Sequence, residues 1–243
     1  MSIFRRRASQ TSAEPVEPAD DAVDDLVDDD VEEETQDAVA SRSQGPWDAA
    51  EVDGLGDRLD LGAVWLAPVP GAEIRLEIDQ STDTINGLQI VIGESAAQVQ
   101  AFAAPRSGGV WRDVRREISG AISGAGGTVD EVDGDFAREL RVRMPQLAPD
   151  GRQVFAPARF IGVDGPRWFL RAVLSGQAAI DDAAAAPLVE ALRSLVVVRG
   201  AAPMAPREML PLRLPEQPTP APAEQQPESF DPFERGPEIT EVR

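Results

Sequence analysis

Histidine, cysteine, tyrosine and lysine are all missing from this chain of 243 residues, and each of its 23 basic residues is an arginine. Without cysteine there is no disulfide and no thiolate nucleophile. Without imidazole or thiolate, the zinc and copper sites that need them are excluded, and so are Ser-His-Asp and Cys-His nucleophile systems. Without lysine there is neither a phosphate-loop lysine nor a Schiff-base lysine. Acid–base work is left to Asp and Glu. Arginine in place of lysine is what a GC-rich genome favours. No apolar run approaches the roughly 20 residues of a membrane span. Arg5-Arg6-Arg7 precede no apolar stretch of the secretory kind. The expected compartment is the cytoplasm.

Negative charge is plentiful and unevenly placed. The net charge is −20, of which −10 falls in residues 1–40 and only −4 in residues 57–202. Nucleic-acid binding needs the opposite field and is not expected. Residues 1–45 read as a disordered acidic tail, since low hydrophobicity and like charge cannot support a core. Its Met-Ser-Ile-Phe-Arg-Arg-Arg start is too weak an anchor for stable membrane contact. Residues 46–203 carry the apolar periodicity of one globular domain. Residues 204–243 read as a proline-rich linker followed by a β-prone end, Ile239, Thr240 and Val242. Such a segment can add to a sheet edge as a peptide strand.

Within the domain, residues 158–176 organise the rest. They read as two strands folded over an Asp164-Gly165-Pro166 turn. Trp168, Leu170, Ala172 and Leu174 alternate with Arg167, Phe169, Arg171 and Val173. Further strands are expected over 72–78, 85–92, 98–103, 128–132 and 136–144, with a first edge segment over 58–66. Trp111, Val114, Ile118 and Ile122 make one helical stripe over 110–124. A second helix over 183–198 is capped by Asp181-Asp182, with Pro187 in or near its first turn. Trp47 is expected to clamp back onto the domain. The fold class is α+β: one domain with a twisted antiparallel sheet of six or seven strands and two main helices, flanked by disordered tails.

Few side chains offer chemistry. Asp130, Glu131, Asp133 and Asp135 read as an acidic turn rather than a metal loop. Arg112, Arg115 and Arg116 read as a solvated helix face. Arg141 and Arg143, two residues apart, are placed on an open sheet face that Arg167 and Arg171 share. Four guanidiniums there would bind an anion or a partner, against the alternative of cross-strand pairing with Glu73, Glu77 and Glu139. No catalytic or metal-binding residue and no cofactor is assigned. The expected function is a non-catalytic binding or adaptor protein with a protein partner. The alternatives are an anion- or small-ligand-binding regulatory domain using the arginine face, and a carboxylate-based enzyme.

Several motifs occur together: RLDLG, QVQAFAAP, WRDVRREI, RFIGVDGPRWFLRAVLSG, VVVRGAAPMAPRE and the terminal RGPEITEVR. In these the chain resembles an actinobacterial family catalogued as domain of unknown function 3710. The resemblance covers roughly residues 45–211 and the last nine. It implies a bacterial, actinobacterial protein and supplies no reaction or catalytic residues. The order β-β-β-α-β-β-β-β-α also resembles the sheet-and-two-helix sandwich of PsbP-type photosystem extrinsic subunits, a likeness of fold that licenses no function.

Overall fold

The computed structural model describes residues 42–215. In chain order its strands are β1 (Trp47–Asp48), β2 (Leu59–Asp60), β3 (Val64–Leu66), β4 (Glu73–Asp79), β5 (Thr84–Ile92), β6 (Ser95–Ala103), β7 (Thr128–Gly134), β8 (Ala137–Leu147), β9 (Gln153–Gly165), β10 (Trp168–Gly176) and β11 (Val196–Val197). Helix α1 (Val110–Gly124) lies between β6 and β7, and α2 (Asp182–Ser194) between β10 and β11. Seven strands form one antiparallel sheet in the order β4-β5-β6-β10-β9-β8-β7. The domain is α+β with two helices, as the periodicity predicts.

Both faces of the sheet are packed, each by a different layer. Trp168, Leu170, Ala172 and Leu174 point to the α2 side and join Leu188, Leu192 and Leu195 in the main core. On the opposite side, Leu140, Val142, Phe160 and Val173 pack beneath Ile118 and Ile122 of α1. Trp111 stacks on Phe169 at 6.1 Å and Phe169 on Phe102 at 6.0 Å. The Trp111 indole lies directly on Gly162, where an added Cβ would sit 2.2 Å from its Cδ2. Any side chain there would lift α1 off the sheet.

The start of α1 is held by the organising hairpin. Its N-cap, Gly109, has no side chain to offer, and a carboxylate from the β9–β10 turn takes that role. Asp164 accepts from the backbone N–H of Val110 (3.2 Å) and of Trp111 (3.2 Å to Oδ2). Those are orphan donors of a first helical turn, where negative charge is also favoured.

The edges of the domain depart from the sequence reading in three places. Residues 58–66 do not extend the large sheet. They form the β2–β3 hairpin of a second, four-stranded sheet in the order β1-β11-β3-β2. The second helix stops at Ser194, and Val196 and Val197 become strand β11, paired with β1 and β3. A run of β-branched valines favours that outcome over a further helical turn. Pro187 lies in the second turn of α2 rather than the first, because the helix already begins at Asp182.

The chain after residue 203 is also not a free linker at its start. Leu210 is 2% exposed, and Met204 and Leu212 pack on the main core. The N–H of Leu210 donates to Ala101 O (2.8 Å) and that of Arg213 to Leu61 O (2.9 Å). This segment lies beside the end of β6 that β5 leaves unpaired, so it satisfies backbone groups that would otherwise be orphaned. The expectation of a linker from 204 is corrected as far as Arg213, and residues 216–243 lie outside the described residues.

Trp47 clamps onto the domain as expected: its strand pairs in parallel with β11, and its N–H donates to Leu195 O (2.9 Å). Nearby, Trp168 Nε1 donates to Asp48 Oδ2 (2.8 Å), and Arg42 lies over the Trp168 ring at 5.6 Å. Arg42 also grips Glu51 through two bonds of 2.6 and 2.9 Å. These bonds, opposed in part by burial, hold the Glu51 carboxyl below its usual range. A carboxyl depressed on folding stabilises the domain above its unfolded value and loses that contribution as pH falls through the folded one. Glu51→Gln is therefore expected to lower stability by up to about 1 kcal/mol near neutral pH. Urea midpoints of variant and parent should converge once the parent's Glu51 is protonated.

Candidate interaction surface

The register separates the four arginines expected to converge. Arg141 stands opposite Arg159 on β9, which stands opposite Leu174 on β10. Arg141 and, two residues on, Arg143 therefore face the α2 side. Arg171 stands opposite Gly162, beneath Trp111, and faces the α1 side. Arg167 occupies the turn with φ 61 and donates to Gly200 O (3.1 Å). The shared arginine face is corrected: the apolar residues of β8 and of β10 choose opposite sides, and their arginines do the same.

Arg141, Arg167 and Arg171 each have a local hydrogen-bond partner. Arg171 donates to Gln100 Oε1 and lies 5.7 Å over the Phe102 ring. Burial lowers its pKa, while Arg141, bonded to Glu139, is pushed up. Arg141 belongs to a closed ring of four charges that the sequence reading missed. Glu139 accepts from Arg141 Nε (3.0 Å) and from Arg159 (3.0 Å). Asp182, the first residue of α2, accepts from Arg141 (2.8 Å) and Arg159 (2.9 Å) through the same oxygen. Glu139 and Arg159 are each 2% exposed. Two positive and two negative groups thus balance at the junction of β8, β9 and α2, where each buried charge has a partner. Of the carboxylates expected to pair across strands, Glu139 does so with Arg159. Glu73 pairs instead along its own strand with Arg75 (2.8 Å), and Glu77 accepts from Gln98 (2.6 Å).

The acidic run 130–135 is drawn out along a strand rather than gathered in a turn. Glu131 meets Arg115 (2.8 Å), Asp133 meets Arg138 (3.2 Å) and Asp135 meets Arg193 (3.0 Å). Among the described residues no group of three or more acidic side chains is placed to hold a metal ion. Two shallow grooves are present. One, of about 380 Å³, runs between α1 and β7 and is lined by Arg112, Arg115, Arg116, Ser119, Gly120 and Glu131. The other, of about 340 Å³, lies between the two sheets around Leu59, Leu66, Pro68 and Ile74, with Asp57 and Arg58 at its rim.

A cluster of exposed apolar side chains lies elsewhere. β7 pairs with β8 only as far as Arg143, and β10 pairs with β9 only from Arg159 onward. Beyond those points β8 and β9 continue alone as a two-stranded ribbon, pairing Met144 with Ala156 through Leu147 with Gln153. Leu147 is 79% exposed, Phe155 51% and Val154 41%. Strand alternation puts Pro145, Leu147, Phe155 and Pro157 on the α2 side with Arg143. Sequence reasoning stopped β8 at Met144 and began the next strand at Ala158. Pro145 and Pro157 lie inside the ribbon, where a proline is harmless because no third strand needs its N–H.

The fold and this surface define a class: an antiparallel α+β domain that projects an apolar ribbon from one end of its large sheet. Within that class, the chain belongs to the family described as Protein of unknown function (DUF3710), which matches residues 45–221. No curated protein and no solved structure matches the chain. No helix among the described residues is long and apolar enough to cross a membrane. Of the acidic tail expected over residues 1–45, residues 1–41 lie outside the described residues, as does the peptide segment Ile239, Thr240 and Val242, while Arg42 is held on the domain by Glu51.

Proposed function

We propose that this protein is a non-catalytic binding or adaptor protein of the actinobacterial cytoplasm, and that the β8–β9 ribbon holds its protein partner. The ribbon carries the reading. A two-stranded ribbon in water is marginally stable by itself, and exposed Leu147 and Phe155 gain little there unless something covers them. Pro145 and Pro157 hinder another strand from pairing along the ribbon edges. The side-chain face is then the surface on offer, with Arg143 at its base for a carboxylate of the partner.

The test compares the full chain with a Leu147→Glu/Phe155→Glu variant, after checking that both melt alike. Buried apolar anchors at an interface are worth about 2 kcal/mol or more each, so affinity for the captured partner is expected to fall at least about 10-fold. An Arg75→Glu control on the far edge strand should bind as the parent does. A partner bound equally by parent and ribbon variant would remove the ribbon from the function. Light scattering on the same proteins identifies the other occupant: a dimer that the ribbon variant abolishes would make the partner a second copy of this chain.

A further inference from the structure

The groove between the two sheets joins an apolar lining to one incompletely bonded cation. Leu59, Leu66, Pro68, Val69 and Ile74 line about 340 Å³, with Arg58 at the rim. Arg58 is half-buried. Its Nη1 donates to the carbonyls of Gly54 and Leu55, both at 3.3 Å, and its Nε is buried without a hydrogen-bond partner. Among the described residues it forms no ion pair, unlike Arg115 (2.8 Å to Glu131) and Arg193 (2.7 Å to Glu190). Asp57 shares the rim but is exposed and does not pair with Arg58. A guanidinium that gives up part of its hydration for two carbonyls is short of a negative partner.

Ile74 belongs to a second feature as well, the edge strand β4. β4 pairs with β5 on one side and with no described strand on the other. Ile74 and Leu76 pack on the main core, so alternation turns that side of β4 toward the groove. Ile78 follows on the same side and is 54% exposed. Glu73, Arg75 and Glu77 point the other way, where Glu73 pairs with Arg75 and Glu77 accepts from Gln98. Residues 73–77 are regular, and the register shifts only after Glu77. Their unpaired edge, about 13 Å long, is a template for a further strand, because its outward N–H and C=O groups have no partner.

We propose that β4 and the groove together form a peptide-binding site. An extended segment of a partner protein adds to β4 as an edge strand, sets an apolar side chain beside Leu59 and Ile74, and gives a carboxylate to Arg58. A lipid chain or a small acid would leave the β4 edge unpaired, whereas a peptide satisfies the edge, the groove and the guanidinium at once. Main-chain bonds along the strand supply affinity, and the side chain and the carboxylate supply selectivity. The site lies across the large sheet from the β8–β9 ribbon and does not depend on that surface.

The probe is a displayed library of random decapeptides selected on the full chain. Selected sequences are expected to carry apolar residues at alternate positions and an Asp or Glu. With such a peptide bound, hydrogen exchange at β4 amides should slow at least about 10-fold while that of β8 stays unchanged. Arg58→Gln should weaken binding about 10-fold. Replacing the peptide's acid by its amide should weaken binding to the parent equally, and binding to Arg58→Gln no further. Leu59→Ser, at a residue already 38% exposed, removes apolar contact with little risk to the fold and should also weaken binding. A library that yields no binder overturns the proposal. So do binders that leave β4 exchange unchanged, or that hold Arg58→Gln and Leu59→Ser as tightly as the parent. Protection of the outward β4 amides before any peptide is added would mean that the edge is already occupied, by a second copy if light scattering shows a dimer, and would overturn it as well.

Discussion

Arg159→Met is expected to cost the domain about 3–5 kcal/mol, the range seen when one partner of a buried ion pair is removed. Glu139 would remain 2% exposed, with Arg141 on one oxygen and nothing on the other. The size of the loss reflects the stranded charge rather than the strength of the bond. The double variant Glu139→Leu/Arg159→Met removes both buried charges and should be much closer to the parent than the sum of the single changes. A coupling of at least about 2 kcal/mol is expected from neighbours of this kind. Chemical denaturation of the four proteins in the cycle measures it. If Glu139→Leu, Arg159→Met and their combination prove additive, the four-charge ring is not a unit and its members act separately. Asp182→Asn, at the solvent end with a side chain 72% exposed, should cost much less.

Trp168→Ala is expected to be of similar severity, about 3–5 kcal/mol for deleting a large aromatic from a packed core. The indole is 0% exposed and sits against Gly165 at a distance that leaves no room for a Cβ there. It joins three parts of the chain: the main core, Asp48 through its Nε1, and Arg42 across its ring. For a domain of this size the loss corresponds to a fall in Tm of about 10 °C. Trp168→Phe separates the contributions. It keeps most of the apolar contact and loses the bond to Asp48, so a cost of about 1–2 kcal/mol is expected. Because Asp48 belongs to β1, the alanine variant should also free the segment around Trp47. Hydrogen exchange at the N–H of Trp47, bonded to Leu195 O, reads this directly. Unchanged protection there would show that β1 is held by its pairing with β11 alone.

The strands and helices were legible because their periods are clean. Ile74, Leu76 and Ile78 alternate with charged residues in β4, and Trp111, Ile118 and Ile122 mark α1. The arginine face was misread for a physical reason. Alternation says which residues share a side, not which side that is. A one-sided sheet would put every apolar set inward and every arginine outward. Here α1 covers β7, β8 and β9 while α2 and the small sheet cover the other side. Leu140 and Val142 turn toward α1, whereas Trp168 and Leu170 turn toward α2. The signal for the docked segment after residue 203 was present in Leu210, Leu212 and Leu214, spaced by two, but the surrounding prolines suggested a linker. The ribbon was hidden in the same way, since prolines mark a strand without neighbours as readily as they mark a break.

The pairing of β1 with β11 joins the beginning of the domain to its end, and the N–H of Leu210 closes the sheet later still. During protein synthesis, Trp47 leaves the ribosome long before the strand it needs. At about 5–20 residues per second the interval is roughly 8–30 s. The central strand β6 likewise waits for β10 and for residue 210 before both its edges are filled. A nascent chain therefore leaves Trp47 without its partner strand, and one end of β6 unpaired, until β11 and residue 210 have been made.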